Sequence, residues 1–452
     1  MPEQNPILIH GSGSTARVTA LALAAALGHT DVPLHCVTAS ANANNKSNDK
    51  SNDKPNDKTG DKPGDNDWGS VLALSPAAKT MLDILGVWSR LDLPSAAVCD
   101  MAVYGDAAAM AHNIGLDFNP PENLPPNQAE NPDAVTVLAH IVSRSALDRA
   151  IHAAFNATFD TPTAKLHRHD AALTDFDKST GAARFSDGTD LTAALLVDCA
   201  RAATDPRAAP LWRTKSAAQY LTHDYQAAAL VCVLACDRPH GGQAVQIFLP
   251  DGPLALLPLP DPHQRALIWS LPHSRARALA EIEDGVFMHE LARATQGHAG
   301  TLAPDGPRGL QKLVLALAEN YVDERLCLLG DAAHIIHPLA GQGFNLALRD
   351  AAQLADTLFD AQALGLAFDG PHVLADYQAL RRADGGAMAA TTHILAEIFS
   401  GSQSRFTAPL ARLGLALTGR MARANQGLAA RFRAQANGGT AALPRLMRGH
   451  RF

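Results

Sequence analysis

The sequence lacks long hydrophobic runs, an excess of basic residues and closely paired cysteines. No apolar run approaches the ~20 residues that a membrane-spanning helix needs, and the opening MPEQNPILIH is neither basic nor long and apolar enough for a secretory signal. The net charge is −7, and no basic array with interleaved aromatic residues indicates a nucleic-acid partner. We therefore predict a soluble, cytoplasmic protein with no nucleic-acid partner and, at 452 residues, more than one core.

The cysteines are scattered through apolar segments, and none forms a C-x-x-C pair, which is typical of buried free thiols in a reducing compartment. They are Cys36, Cys99, Cys199, Cys232, Cys236 and Cys327. His334 and His337 are three residues apart, but no cysteine or carboxylate set completes a metal site. We therefore predict no metal and expect His334 to pack in the core.

The chain opens with the pattern of a dinucleotide-binding unit. Residues 6–10 (PILIH) predict a buried strand, GSGSTA predicts a turn that begins a helix, and VPLHCVTAS predicts a second strand. Gly11, Gly13 and Ala16 fit G-x-G-x-x-G/A, in which backbone N–H groups approach a pyrophosphate at the helix N-terminus. A glycine-rich turn kept for packing alone is the competing interpretation.

Three further segments organise the chain. Residues 41–67 are a near-repeat of Asn, Asp, Lys, Ser and Pro, predicted to be a disordered insertion because it has too little apolar surface to bury. Strand-like segments, including AALLVDCA, dominate from about Ala172 to Ser270 and predict an antiparallel sheet. Helical patterns run from about Val286 to the end, interrupted by a strand at 326–329 that is a candidate to share a sheet with the first strand.

The most specific pattern runs from Leu328 to Asp356, LLGDAAHIIHPLAGQGFNLALRDAAQLAD. It contains GDAAH, then HP, then GQG-x-N and then RD. These residues resemble the pattern of the FAD-dependent aromatic hydroxylases of the para-hydroxybenzoate hydroxylase fold, and within them the bacterial ubiquinone-biosynthesis hydroxylases. The resemblance extends over nearly the whole chain outside the insertion.

The resemblance implies a set of residues that bind FAD. Asp331 is expected to hydrogen-bond the ribityl hydroxyls, and the following helix to direct its positive N-terminal end toward the ring. The ring-side candidates are Pro338, Gly341, Gln342 and Gly343, and no side chain is predicted to act as a nucleophile or base. The full set of cofactor-binding candidates is Gly11, Gly13, Ala16, Arg144, Gly330, Asp331, Pro338, Gly341, Gln342, Gly343 and Asn345. Asp350 could equally be an acid on a helix surface.

The same resemblance implies a largely apolar substrate pocket beside the ring. Its predicted floor is Phe248, Leu254, Ala255, Leu257 and Pro258, with Gly252 and Pro253. A plain antiparallel core explains most of these positions equally well.

The implied fold class is α/β, with a discontinuous Rossmann-like FAD-binding domain, an antiparallel-sheet substrate domain and a C-terminal helical region. The predicted bounds are 1–85, 135–210 and 310–395 for the first, 86–134 and 211–309 for the second, and 396–452 for the third. The third region is rich in arginine, which suits basic amphipathic helices on an anionic membrane face or an acidic partner, or a solvated helix pair.

The activity that the resemblance implies is hydroxylation of an aromatic ring. A reduced nicotinamide, NAD(P)H, would reduce FAD, and dioxygen would supply the oxygen atom. The implied substrate is a polyprenyl phenol or quinone precursor of ubiquinone, and other quinone-biosynthesis proteins are candidate partners. A peripheral location on the inner face of the membrane would suit such a substrate, whereas a soluble aromatic substrate would not require it.

Three positions depart from the family pattern, all where the family contacts FAD. Thr38 or Ala39 stands where a ribose-binding acid is expected, Ser70 replaces an arginine, and Ala200-Arg201 replaces Asp-Gly. These departures support a second hypothesis, in which the chain is a catalytically weak or inactive relative that acts as a scaffold in a quinone-biosynthesis complex. The intact pattern around Gly341 favours the enzyme.

Overall fold

The computed structural model of the chain describes residues 5–38, 68–104, 137–159, 165–201, 220–337, 341–399 and 443–452. The predicted insertion at 41–67 lies outside these residues, as do Pro338 and most of the predicted C-terminal helical region.

The described residues form both helices and strands, and from Leu166 to Pro272 the elements that they form are all strands. The helices are α1 (Ser14–Leu27), α2 (Pro76–Ile84), α3 (Arg144–Phe159), α4 (His273–Glu281), α5 (Asp284–Thr295), α6 (Gln342–Ala363) and α7 (Pro371–Phe399). The strands are β1 (Ile7–His10), β2 (Leu34–Val37), β3 (Val71–Leu74), β4 (Ala96–Val98), β5 (Asp100–Tyr104), β6 (Ala139–Ser143), β7 (Leu166–His169), β8 (Leu173–Asp177), β9 (Ala182–Phe185), β10 (Asp190–Thr192), β11 (Leu195–Asp198), β12 (Tyr220–Cys236), β13 (Gln243–Leu249), β14 (Gly252–Pro258), β15 (Gln264–Pro272), β16 (Leu302–Pro304), β17 (Gly309–Ala318), β18 (Val322–Asp323), β19 (Leu326–Leu328) and β20 (His334–Ile335).

One sheet has six strands in the order β18-β19-β11-β1-β2-β7 and is parallel apart from β18. Strands of a parallel sheet are covered on both faces, and Ile7, Leu8 and Ile9 are accordingly fully buried. Helix α1 packs against α6 and α3. The predicted pairing of the first strand with the strand near residue 330 is confirmed, because both belong to this sheet.

A second sheet has the order β20-β17-β12-β15-β14-β13-β5, with β16 beside β12. It is antiparallel apart from the β13–β5 pair, as the closely spaced strands predicted. One face packs on α4 and α5, where Trp269, Phe287 and Leu291 are buried together. Two smaller sheets, β3-β6-β4 and β10-β9-β8, complete the described strands.

Two parts of the sequence interpretation were wrong. The segment AALLVDCA forms β11 of the parallel sheet, although it was grouped with the antiparallel strands. Residues 309–318 were expected to be helical but form β17, paired with β12. Both are short, nearly continuous apolar runs, whose periodicity does not distinguish a buried strand from a helix. The predicted bound at residue 310 therefore falls at the start of a strand of the large sheet, and the other domain bounds stay predictions.

The chain ends against the parallel-sheet half of the molecule. Residues Arg445–Arg448 form a 3-10 turn in which Leu446 and Met447 are buried, and a guanidinium nitrogen of Arg445 lies 2.8 Å from Asp360. All six cysteines are free thiols, and burial raises the pKa of Cys36 to about 12. Among the described helices, none combines the length and the apolar character required to cross a membrane.

Candidate functional site

Three turns meet at the carboxyl edge of the parallel sheet. They follow β1, β11 and β19, which are neighbours in the sheet. The N–H of Cys199 donates to the carbonyl of His10 (2.8 Å), and the N–H of Leu329 donates to the carbonyl of Asp198 (3.0 Å). Ligands of parallel α/β sheets bind outside this edge, so the predicted residues after all three strands are brought together.

The glycine-rich turn after β1 leaves the start of α1 accessible. A Cβ at Gly11 would lie 3.2 Å from the backbone nitrogen of Ala200, so the turn packs closely on the neighbouring strand end. Gly13 is the N-cap of α1 and faces open space, while Ala16 is buried. The first N–H groups of the helix therefore point to a space that an anion can enter.

Gly330 closes the turn after β19 and packs α1 onto α6. Its φ of +60° is a left-handed conformation, and a Cβ there would lie 2.7 Å from Cγ2 of Thr15 and 3.2 Å from Cβ of Ala347. The half-buried Asp331 follows in a 3-10 turn at the same edge. Its predicted contact with ribityl hydroxyls stays a prediction, and its position fits one.

The carboxylate of Asp350 supports this turn through hydrogen bonds. Its fully buried carboxylate accepts from the N–H of Gly330 (3.0 Å) and lies 2.6 Å from both Nε2 of His334 and Nε of Arg381. Burial alone would raise the pKa of Asp350, but His334 and Arg381 outweigh it and lower that pKa to about 2. Asp350 is therefore not an acid on the helix surface, as one interpretation of the sequence had it. His334 is a buried, hydrogen-bonded core histidine, as expected.

The same buried cluster joins α6 to α7. Arg349 donates to Asp384 at 2.8 Å, and Arg381 lies 2.8 Å from the same carboxylate. Arg349 and Arg381 are 3% and 5% exposed, so two cations and two anions share a nearly dry site. Removing one member of such a set leaves an uncompensated buried charge. The sequence pattern included Arg349-Asp350, but gave no sign of the partners on α7.

The bend at Gly341 begins α6. Gly341 is left-handed (φ +63°), and a Cβ there would lie 3.2 Å from Cβ of Ala73. The buried Asn345 accepts from the N–H of Ser75 (2.9 Å) and donates to the carbonyls of Ala73 (2.7 Å) and Gly341 (3.3 Å). Its amide therefore ties the bend to the start of α2, and a direct contact with a cofactor stays a prediction.

As far as the described residues show, the space beside the bend is open at Gly343, the second residue of α6. The nearest atom to a Cβ at Gly343 would be Cγ1 of Ile336, at 4.0 Å. Gln342 is the first residue of α6. Arg144 is exposed at the first position of α3, and its N–H donates to the carbonyl of Ser70 (3.0 Å).

The predicted pocket floor divides between the two faces of the large sheet. Side chains alternate along a strand. Phe248, Ala255 and Leu257 are partly exposed and have the parity opposite to the buried core against α4 and α5. Leu254 is fully buried in that core, and Pro258 has the parity of Leu254. The structure thus places Leu254 in the core, away from the face of Phe248, which the apolar run could not show because it does not specify the face that each residue takes. The assignment of Pro258 to the pocket stays a prediction.

A polar cluster that the sequence did not predict lies beside the bend. The register of β12 shifts between Asp224 and Ala228, and Gln226 is left-handed (φ +52°). At this bulge, the hydroxyl of Tyr225 lies 3.1 Å from Nδ1 of His393 on α7, and its ring lies perpendicular to that of His337, with centroids 5.0 Å apart. Bulges re-aim side chains next to active sites. His337 belongs to the sequence pattern, but nothing in the sequence indicates the bulge.

Burial, and then the neighbouring His393, lower the pKa of His337 to about 4. A neutral imidazole is therefore expected next to the bend at neutral pH. The neutral imidazole adds no positive charge of its own, and the N-terminus of α6 supplies positive potential for an anionic ring at this bend.

The described residues fit a flavin at the ring end. Among the described residues, an added Cβ at Gly13 or Gly343 would meet no atom closer than 4.0 Å, Asp331 lies in the turn after β19, and α6 begins at the bend. Those residues would hold the ribityl chain and the ring of a bound flavin.

Comparisons with known proteins agree with this geometry. A family model described as an FAD binding domain matches residues 138–390. The chain is 35% identical over 360 residues to ubiquinone hydroxylase UbiL of Rhodospirillum rubrum, covering 78% of this chain and 76% of that protein. It is 38% identical over 160 residues to 3-demethoxyubiquinol 3-hydroxylase of Escherichia coli, covering 35% of this chain and 40% of that protein.

A solved structure shares the fold. The p-nitrophenol 4-monooxygenase PnpA of Pseudomonas putida has a TM-score of 0.65 at 15% identity, over 98% of this chain and 100% of that one. At this identity the likeness concerns the fold alone. The long alignment with a hydroxylase and the matched FAD binding domain go further: the chain belongs to the FAD-dependent aromatic hydroxylases, a family of flavoprotein monooxygenases whose cofactor is FAD.

Proposed function

We propose that the protein is an FAD-dependent monooxygenase that hydroxylates the aromatic ring of a polyprenyl phenol or quinone precursor in ubiquinone biosynthesis, with NAD(P)H as reductant. The observation that carries the proposal is the bend at the N-terminus of α6, where Gly341 packs on Ala73 and no described atom would lie closer than 4.0 Å to a Cβ at Gly343. The named relatives act in ubiquinone synthesis, which supports the choice of substrate class.

Bound FAD would supply the redox chemistry, the activation of dioxygen for transfer of one oxygen atom to the ring. The protein residues have a different task. The positive end of α6 would stabilise negative charge on a bound ring, and the backbone at Gly343 would permit its close approach. Phe248, Ala255 and Leu257 offer an apolar surface that keeps water away, and no nucleophilic side chain is required.

The second candidate is a scaffold subunit of a quinone-biosynthesis complex. The observation that favours it is the loss of acids at the adenosine end, where Thr38 and Ala200-Arg201 stand. Each lost hydrogen bond to a carboxylate forfeits about 1.5–3 kcal/mol. Two such losses weaken binding by roughly two to four powers of ten. The intact bend favours the enzyme, because a scaffold has no need of an open space at Gly343.

The test is the visible spectrum of the purified protein, followed by product analysis. We expect a yellow protein, or a colourless one that takes up FAD, and hydroxylated product when NAD(P)H, dioxygen and a prenylated phenol are added. A protein that stays colourless after incubation with FAD, but still restores quinone synthesis to a strain lacking the gene, would support the scaffold.

We also propose that the arginine-rich segment after Ser400 places the protein at an anionic membrane surface, where a polyprenyl substrate resides. Deleting the whole C-terminus would also remove the buried Leu446 and Met447, so substitution is the cleaner experiment. Replacing Arg405, Arg412, Arg420 and Arg423 by Gln should shift the protein from the membrane fraction to the supernatant. Unchanged fractionation would favour a soluble aromatic substrate.

A further inference from the structure

The carboxyl edge of the parallel sheet has a ring end and an adenylate end, whose order follows from the strand order. Strand β19, which leads to Asp331, lies beside β11; β11 lies beside β1, and β1 beside β2. A dinucleotide with its ring at α6 and its phosphates at α1 therefore extends its adenosine toward the end of β2.

We infer that this protein selects its flavin by the ring and ribityl end and hardly at all by the adenylate, so that FMN binds within about tenfold of FAD. The inference rests on the proposed function, since it places a flavin at the Gly341 bend. Four observations carry it, three at the adenylate end and one from the contrast with the ring end.

The first observation is the residue after β2. The strand ends at Val37 and Thr38 follows it. In dinucleotide-binding units an acid at this position accepts hydrogen bonds from ribose hydroxyls. Thr38, Ala39 and Ser40 have no carboxylate, and the first acid beyond the strand is Asp49. A charge-assisted contact that FAD could make and FMN could not is therefore missing at this position.

The second observation concerns Asp198, the acid at the end of β11. It is fully buried, and its Oδ1 lies 3.0 Å from Nδ1 of His10 and accepts from the N–H of Ala200 at 3.1 Å. These contacts use the carboxylate to hold its own turn against β1. The acid at this strand end thus serves the fold, and the chain continues through Ala200 to the exposed Arg201.

The third observation is a carboxylate at the start of α1. The hydroxyl of Ser14, the first residue of α1, donates to Asp148 on α3. The first turn of a helix favours anions, so Asp148 already neutralises part of that positive end and repels a further negative group. At neutral pH the phosphate monoester of FMN and the pyrophosphate of FAD each carry about two negative charges, so this repulsion weakens both ligands and gives FAD no advantage through its second phosphate.

The fourth observation is the contrast with the ring end. There, Asp350 and Asn345 fix the turn at Gly330 and the bend at Gly341 through buried hydrogen bonds. These contacts lie beside the part that FAD and FMN share. FAD and FMN therefore both bind to the part of the site whose geometry these hydrogen bonds fix.

The experiment titrates the flavin-free full-length protein with FAD and, separately, with FMN, following quenching of flavin fluorescence. The parent protein should give dissociation constants within about tenfold of each other. Thr38→Glu, which places an acid after β2, should tighten FAD by about tenfold and leave FMN unchanged. Asp148→Asn should tighten FAD and FMN to a similar extent, by about threefold. Gains in affinity cannot result from misfolding.

Asp170→Asn is the matched control, because Asp170 is an acid that follows the next strand, β7. It should leave the ratio of the two constants unchanged. Three results would each overturn the inference without affecting the proposed function. They are a preference for FAD above a hundredfold in the parent, an unchanged ratio in Thr38→Glu, and a selective loss of FAD binding in Asp170→Asn. Binding of neither flavin would overturn the proposed function as well.

Discussion

The ring end and the adenylate end of the same sheet edge are held in different ways. At the ring end, the turn at Gly330 and the bend at Gly341 are fixed by Asp350 and Asn345, both nearly or fully buried. At the adenylate end, Arg201 is exposed, Asp198 holds its own turn, and Asp148 accepts a hydrogen bond from the hydroxyl of Ser14. Contacts built into the core cannot change without loss of the fold, whereas exposed contacts to a ligand can, which explains why the two ends differ.

The largest expected effect comes from breaking the buried charge network at the ring end. Asp350→Ala leaves Arg381 and His334 without their shared carboxylate, which should lower the free energy of unfolding by about 3–5 kcal/mol. The measurement is urea unfolding followed by circular dichroism. The matched control is Asp360→Ala on the same helix, whose partner Arg445 is at the surface and whose loss should cost no more than about 1 kcal/mol. Equal losses in the two variants would contradict the contrast.

Asn345→Ala should give the next largest loss of unfolding free energy. It leaves the N–H of Ser75 and the carbonyl of Ala73 without their side-chain partner, at a cost of about 1–3 kcal/mol per buried group. Because the bend serves the part that both flavins share, FAD and FMN should weaken by the same factor in a fluorescence titration. A loss confined to FAD would place Asn345 at the adenylate end instead.

A smaller effect concerns acid stability. The folded pKa of His337 is about 4, below its unfolded value near 6.5. The unfolded state therefore binds the proton first, so the contribution of His337 to stability is complete above pH 6.5 and is lost as the pH falls from 6.5 toward 4. Urea unfolding at pH 7 and pH 5 should show this loss.

His337→Gln should reduce the difference in unfolding free energy between pH 7 and pH 5. Burial, and then His167 and His169, lower the pKa of His35 to about 4 as well, so His35→Gln should reduce the difference by a similar amount. An unchanged difference in His337→Gln would contradict the burial of a neutral His337 next to the bend.

The smallest expected effect on stability is that of Tyr225→Phe. It removes the hydroxyl that lies 3.1 Å from His393, a half-buried contact worth about 1 kcal/mol. Since this pair adjoins the ring side, the fraction of NAD(P)H oxidation that yields hydroxylated product should fall while flavin affinity holds. An unchanged product fraction would remove the pair from the site.

Local patterns predicted much of the architecture. GSGSTA gave the turn and the start of α1, and the run after Leu328 gave the strand, the bend and α6. Features that depend on distant partners were not predictable. Nothing near Asp350 indicates Arg381 on α7, and the bulge that aims Tyr225 arises from pairing between β12 and β17. The strand at 309–318 was missed because an apolar run does not specify its period.

The central claim is that the open space at Gly343 receives the ring of a flavin. Gly343 and Gly285 are each the second residue of a helix, α6 and α5, and an added Cβ at either would meet no atom of the described residues closer than 4.0 Å. The most direct measurement is FAD titration of Gly343→Leu and Gly285→Leu, with the melting temperature of each. We predict that Gly343→Leu loses FAD binding, that Gly285→Leu keeps it, and that the two variants have matched melting temperatures. Equal FAD binding by the two variants would contradict the claim.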